Sequence, residues 1–160
     1  MRQGVGPNGW RSAIRVWQCD NMSTSFLDAA TDILGPRGLT RDADLMEPWL
    51  TDWRGRYTGR ALALASPANT QEVASLVKLC AQHRVPIVPQ GGNSGMSGGA
   101  TPDASGEALV LSLRRMSAFR HWNEEARQVV CEAGVVLQTL HDAAGERGLR
   151  FPLTLGGRGS

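Results

Sequence analysis

The sequence predicts an α+β domain, an α/β sandwich. In it, a small βαβ-containing sheet is followed by part of a second small sheet with a helix. Three observations predict this class. Residues 61–89 hold an apolar run, an amphipathic stretch and a second apolar run, which is the length of a strand–helix–strand unit. Residues 119–133 hold two strand-like runs around a polar turn. Apolar residues recur with helical spacing at 25–34 and again at 136–144.

Each element follows in chain order. Ser25 is the expected N-cap of a first helix, with Asp28 placed to favour its dipole. Phe26, Leu27, Ala30, Ile33 and Leu34 share one face, and Gly35-Pro36 ends the helix. Residues 37–60 read as irregular, because Pro48, Gly55 and Gly59 break any long period. Trp49, Trp53 and Tyr57 recur every four residues, which fits a loop or short helix laid on the core better than an aromatic ligand box. Ala61–Ala65 suits a buried strand. Asn69 or Thr70 then caps a helix whose stripe is Val73, Leu76, Val77, Cys80 and Ala81. Val85–Pro89 is the second strand of the unit, with a right-handed crossover expected. Ala108–Leu113 is a third strand, Phe119–Trp122 and Gln128–Ala133 a strand pair, and Asn123–Ala126 the turn between them. Val136–Ala144 is a further amphipathic helix closed by Gly145 or Gly148.

Composition narrows the function classes. The chain of 160 residues is 41% hydrophobic and 20% charged, with a net charge of +2, which is ordinary for a globular domain. Its cations are scattered arginines, densest at Arg54, Arg56 and Arg60, so nothing argues for a nucleic-acid partner. Cys19, Cys80 and Cys131 are widely spaced with no CxxC pair, which argues against a metal centre. Cys80 and Cys131 read as buried thiols, favouring a reducing, cytoplasmic compartment with the mitochondrion as the alternative. No apolar run approaches a membrane span. Residues 1–22 read as an extension ahead of a working start at Met22, the alternative being a mitochondrial-type presequence. The remaining domain is 23–160.

Glycine is the outlier, at 19 residues. Pro89-Gln90-Gly91-Gly92-Asn93-Ser94-Gly95-Met96-Ser97-Gly98-Gly99 follows a buried strand. It is neither GxGxxG before a long helix nor GxxxxGK[ST], so Rossmann and Walker-type binding lose ground. Glycines at 91, 92, 95, 98 and 99 allow successive N–H groups to form a nest for an anion, and missing Cβ atoms let the backbone approach a diphosphate. Gln90, Asn93, Ser94 and Thr101 add neutral donors. On spacing alone, a flexible turn and a phosphate loop remain equally open.

The stretch Val88–Ala100 resembles the pyrophosphate loop of the FAD-linked oxidase superfamily, which includes vanillyl-alcohol oxidase. Within it, the chain is most similar to D-lactate, glycolate and D-2-hydroxyglutarate dehydrogenases. The likeness continues through Arg56–Ala61, Pro67–Val73, Leu109–Met116, Val130–Val135, Phe151–Gly156 and Gly159-Ser160. It implies the N-terminal portion of a PCMH-type FAD-binding domain.

By this resemblance, amides from Gly91 to Gly95 cradle the FAD pyrophosphate, with Met96 in the same loop, and Pro67 and Pro89 line the adenine side. Gly98 and Gly99 let the chain pass close to the cofactor. Glu132 and Gly134 flank the ADP portion, and Pro152, Gly156 and Ser160 begin a segment running toward the flavin. Asn93 stands where covalently flavinylated relatives carry His, so FAD is expected to be non-covalent. His83, His121 and His141 read as packing residues. The family's active-site residues and metal ligands lie in a later substrate domain, so no catalytic or metal residue is assigned. The domain is expected to be incomplete at its C-terminus, with its exposed sheet edge prone to self-association. The implied activity is oxidation of a small 2-hydroxy acid. The alternatives are an inactive remnant or FAD-binding module, or an unrelated nucleotide-phosphate binder.

Overall fold

Helical apolar spacing at the front of the chain becomes α1, which runs through residues 24–34 of the computed structural model. The structure describes residues 24–156, so the expected extension 1–22, Cys19 and the candidate Ser160 lie outside the described residues. Phe26, Leu27, Ala30 and Leu34 are buried, and Ile33 packs against them. Ser25 is already helical, so it is not the N-cap expected of it, because a cap residue keeps a non-helical backbone. Gly35 does end the helix. It takes the left-handed conformation at φ 68°, and its N–H donates to the Thr31 carbonyl at 2.8 Å.

The stretch 37–60 departs from its expected irregularity. It holds β1 (Leu39–Thr40) and α2 (Ala43–Leu50), with Pro48 inside the helix. Asp42 caps α2 by accepting from the N–H groups of Asp44 and Leu45. Pro48 is tolerated because the helix ends two residues later and forfeits only one interior hydrogen bond. Met46 is buried, Trp49 and Leu50 pack beside it, and Trp53 and Tyr57 are largely exposed. Of the three aromatics at four-residue spacing, only Trp49 reaches the core.

The main sheet contains β2 (Ala63–Ala65), β3 (Ile87–Gln90) and β4 (Leu109–Ser112), with α3 (Thr70–His83) between β2 and β3. Strand order is β1-β2-β4-β3. β1 runs antiparallel to β2, while β2 and β3 each run parallel to β4. The expected strand–helix–strand unit therefore exists, but its strands do not pair: β4 returns to fill the gap between them. Register pairs Ala65 with Leu111 and Gln90 with Ser112, so the three parallel strands end at one edge.

Two apolar layers sandwich this sheet. Ala63, Ala65, Leu109 and Leu111 face α1 and α3, while Leu64 and Val110 face Met46 of α2. On α3, Leu76 and Cys80 are buried and Val73 and Leu79 pack against the core, but Val77 and Ala81 are exposed. The true stripe thus turns toward Leu79. Leu76 is fully buried, and truncating it to alanine costs about 2–5 kcal/mol.

The second sheet is a hairpin of β5 (Phe119–Asn123) and β6 (Gln128–Cys131), followed by α4 (Leu137–Gly145). Asn123 Oδ1 accepts from the Ala126 N–H across the turn, and Arg127 takes φ 52°. Cys131 is half-buried, not buried as expected, because a two-stranded sheet cannot cover both of its faces. On α4, Leu140 and Ala144 are buried.

Candidate functional site

In parallel sheets, ligands bind outside the carboxyl ends of the strands, where backbone turns away and helices begin. Pro67 leaves β2 at that edge and is fully buried, with the neighbouring Ser66 carbonyl accepting from Arg115 Nη1 at 2.7 Å. Gly91 leaves β3 at the same edge and opens the glycine-rich loop. Leu113 leaves β4 there. Gly134 is pressed against it: a Cβ on Gly134 would lie 2.0 Å from the Leu113 carbonyl oxygen. The hairpin's exit is thereby brought to the end of β4, so Pro67, Gly91 and Gly134 converge although they are far apart in sequence.

The loop is anchored by side chains, at Gln90 and at Asn93. Gln90 is 2% exposed, and its Nε2 donates twice, to the Trp49 carbonyl at 2.9 Å and to the Ala100 carbonyl at 2.7 Å. One side chain thus closes the loop and ties it to the end of α2. Asn93 takes φ 51°, and its Nδ2 donates to the Thr51 carbonyl at 2.7 Å. Gly98 takes φ 75° beneath the Tyr57 ring, where a Cβ would approach Cγ at 2.9 Å. Among the described residues, the main-chain N–H groups of Gly91 through Ser97 have no protein acceptor, while Thr101 closes the loop by donating to Gly98. Gly91, Gly95 and Gly99 have nothing within 4 Å of a notional Cβ. Amides without a protein acceptor in a loop with open glycine positions are what an anion requires.

Asp52 organises the turn that carries this anchor. It is buried and accepts from the N–H groups of Tyr57 and Arg56 at 2.7 Å each and of Arg54 at 3.3 Å. The Tyr57 N–H, followed by those of Arg56 and Arg54, holds its carboxyl below the usual carboxylate range. The Asp52 N–H returns to the Tyr57 carbonyl at 2.9 Å, so the turn is closed from both sides. One cleft beside the loop is lined by Glu47, Thr51, Asp52, Trp53, Gly92 and Asn93, and its two carboxylates make it unfavourable for phosphate. Another depression, at the end of β2, contains Arg37, Arg114, Trp49 and Ser66 and, among the described residues, no carboxylate. The Arg114 guanidinium lies 4.5 Å from the Trp49 ring centroid. The cationic side of this edge therefore lies toward β2.

The other sequence-derived candidates are placed less centrally. Glu132 accepts from the Ala118 N–H at 2.9 Å and from Arg120 at 2.7 Å, which commits its carboxylate to the hairpin and lowers its pKa. Pro152 and Gly156 lie in exposed coil after α4. Pro89 lies on β3, exposed, and Gly92, Ser94 and Met96 are exposed in the loop. His83 sets its ring on Phe26 and His141 sets its ring on Phe151, at 5.6 and 5.8 Å between centroids. Sequence reasoning missed Thr51, Asp52 and Ser112. The signal for Asp52 was its place three residues before Gly55, where an aspartate commonly binds turn amides.

Comparisons with known proteins identify the family from sequence and the fold from structure. The model of the FAD binding domain matches residues 61–160. The chain is 34% identical to the mitochondrial D-2-hydroxyglutarate dehydrogenase of Arabidopsis thaliana over 129 residues, 81% of this chain and 23% of that protein. It is 41% identical to the D-2-hydroxyglutarate dehydrogenase of Xanthomonas citri pv. viticola over 121 residues, 76% of this chain and 25% of that protein. It thus spans about a quarter of the length of these relatives. Among solved structures, an alkyldihydroxyacetonephosphate synthase superposes with TM-score 0.76 at 19% identity, covering 85% of this chain and 27% of that one. A p-cresol methylhydroxylase superposes with TM-score 0.70 at 21% identity, covering 81% of this chain and 25% of that one. At these identities the structural likeness speaks for the fold.

Proposed function

The chain belongs to the FAD binding domain family, and from that premise we propose that it holds FAD non-covalently. We further propose that it forms the cofactor-binding part of a dehydrogenase oxidising D-2-hydroxy acids such as D-lactate, glycolate or D-2-hydroxyglutarate. The observation that carries the reading is the loop between Gly91 and Ser97, whose amides have no protein acceptor among the described residues and whose base is tied down at Gln90 and Asn93. These residues fit a dinucleotide's linked phosphates. The amides donate without a competing cation, and the glycines leave room for close approach.

In this reading the backbone of Gly91 to Gly95 binds the phosphates, with Ser94 and Met96 in the same loop. Gly98 and Gly99 give clearance, Pro67 and Pro89 border the adenine side, and Gly134 brings the Glu132 segment to the same edge. Pro152, Gly156 and Ser160 lead toward the flavin. Bound FAD supplies the electron-accepting ring; this chain's residues bind and orient it. The non-covalent part rests on Asn93, whose amide is not a nucleophile toward flavin and already donates to the Thr51 carbonyl. The 2-hydroxy acid reading rests on the dehydrogenases to which the chain is 34% and 41% identical, and the selection of substrate is assigned to parts of such enzymes that this chain does not cover. The outer edges of the β5–β6 hairpin and the exposed Val130 are the place where copies of the chain associate, which light-scattering chromatography tests.

Titration of the chain with FAD, followed by flavin fluorescence, is expected to saturate at one equivalent. Acid precipitation is expected to release all flavin to the supernatant. Flavin retained in the pellet would contradict non-covalent binding, and absence of saturation would contradict FAD binding. Bleaching of the flavin in the longer enzyme by D-2-hydroxyglutarate or D-lactate, but not by their L-isomers, tests the substrate class.

A further inference from the structure

We propose that Gln90, Ser112 and Thr101 form a buried polar node under the glycine loop that binds one water molecule, and that Gln90 is the loop's positioning residue. The functional arm of this proposal rests on the FAD reading above; its structural arm does not.

The argument begins with hydrogen-bond accounting. Buried polar atoms in folded proteins are nearly always paired, so each orphan requires a cause. Among the described residues four buried side-chain atoms lack a protein partner: Gln90 Oε1, Thr101 Oγ1, Ser112 Oγ and His141 Nε2. His141 lies on α4, away from the loop in sequence and in element. The other three belong to residues that the register and one hydrogen bond link at the ends of the glycine loop. Gln90 and Ser112 are register partners on adjacent parallel strands, so their side chains share a face of the sheet. It is the face of Val110 and Leu64, toward α2, since alternate residues point the same way. Thr101 directly follows Ala100, whose carbonyl Gln90 grips at 2.7 Å.

The orientation of the Gln90 amide is settled by its partners. Nε2 spends both hydrogens on the Trp49 and Ala100 carbonyls, which leaves Oε1 as a pure acceptor. Gln90 is 2% exposed and Ser112 is 0% exposed, so bulk solvent does not satisfy them. The species required must donate to Gln90 Oε1 and exchange hydrogen bonds with two hydroxyls. Water meets that description, and an interior site with several polar partners holds one. A hydroxyl of the bound dinucleotide offers the same chemistry, and the experiment separates the two sources.

The experiment compares Ser112→Ala, Thr101→Val and the double variant with the unaltered chain, by thermal melting without FAD and by FAD titration. If one water links the hydroxyls, each single variant lowers the melting temperature without cofactor and raises the FAD Kd about 2- to 10-fold, the range of one net hydrogen bond. The double variant then loses less than the two singles combined, because both disrupt the same node. Gln90→Met, which fills the space but neither donates nor accepts at the node, raises the Kd more than either single. Gln90→Glu, which retains the acceptor, does not recover it.

Hydroxyl removals that leave melting unchanged or raise it overturn the proposal, since an unsatisfied buried hydroxyl is better lost. Strictly additive losses overturn it as well. If melting is unaffected and only FAD affinity falls, the donor is the cofactor's hydroxyl and the water assignment is wrong. If the unaltered chain does not bind FAD, the cofactor reading fails by itself, and the melting arm still decides the node.

Discussion

Gly95→Ala separates binding from folding. Gly95 lies in the loop with negative-φ or extended backbone and nothing within 4 Å of a notional Cβ. The folded state therefore accepts the methyl group, and the unfolded chain loses conformational freedom. At such a position glycine-to-alanine stabilises by about 0.4–1 kcal/mol. For a chain of this size each kcal/mol moves the melting temperature by about 2–4 °C, so a rise of about 1–4 °C is expected. The ligand-facing side behaves oppositely. A Cβ among the donating amides holds the phosphates away from them, and a hydrogen bond to a charged group is worth about 1.5–3 kcal/mol. Loss of one such bond weakens FAD binding about 10- to 100-fold. The assay is parallel thermal melting and fluorescence titration with FAD. A variant that melts higher and binds FAD as tightly as the original chain refutes the assignment of this loop to the phosphates. A variant that melts markedly lower refutes the claim that the space is open.

Other perturbations are expected to act on the fold. Gly134→Ala and Gly59→Ala place a Cβ 2.0 Å from the Leu113 oxygen and 1.8 Å from the Pro102 oxygen, so each is expected to cost about 3 kcal/mol or more and to lower melting by at least about 6 °C. Calorimetry showing either variant as stable as the original would contradict the close approach. Asp52, Asp103 and Glu132 have folded pKa values below the ordinary 3.8 for Asp and 4.5 for Glu, through the Tyr57 N–H, the Ser105 hydroxyl and the Ala118 N–H respectively. Their stabilisation is complete above those ordinary values and is lost as pH falls through the lower folded ones. Melting temperature is thus expected to hold near pH 6 and fall below about pH 4, with a shallower fall in Asp52→Asn. Burial pushes the Cys80 thiol up to about 11, so a thiol reagent at pH 8 is expected to label Cys131 in the native chain and Cys80 only after denaturation. Peptide mass mapping reads this directly.

Elements whose burial follows their own periodicity were legible in the sequence. The face of α1, the cap and first turn of α3, the three parallel strands and the hairpin all carry their pattern locally. The segment 37–60 was not legible, because Pro48, Gly55 and Gly59 look like interruptions when seen one residue at a time. In the fold, Pro48 sits near the end of α2, and Gly59 is required by contact with Pro102, 43 positions away in the chain. Strand adjacency was hidden for a related reason. Nothing in 61–90 announces that β4 will enter between β2 and β3, since that contact rewards residues near 110. The candidate site divides the same way. The glycines and Asn93 announce themselves by type, whereas Ser112 and Thr51 matter only because the sheet register and α2 bring them beneath the loop.

The strand that delivers the loop also forms one rim of the main sheet, since among the described residues β3 pairs only with β4. That rim carries Pro89, exposed and without an N–H to offer. A foreign strand approaching there finds the hydrogen-bonding ladder interrupted two residues before the glycines begin. The opposite rim, β1, is only two residues long and gives an intruder little to grip. The sheet can therefore leave its carboxyl edge open to a small molecule while its flanks discourage other polypeptides from zipping on.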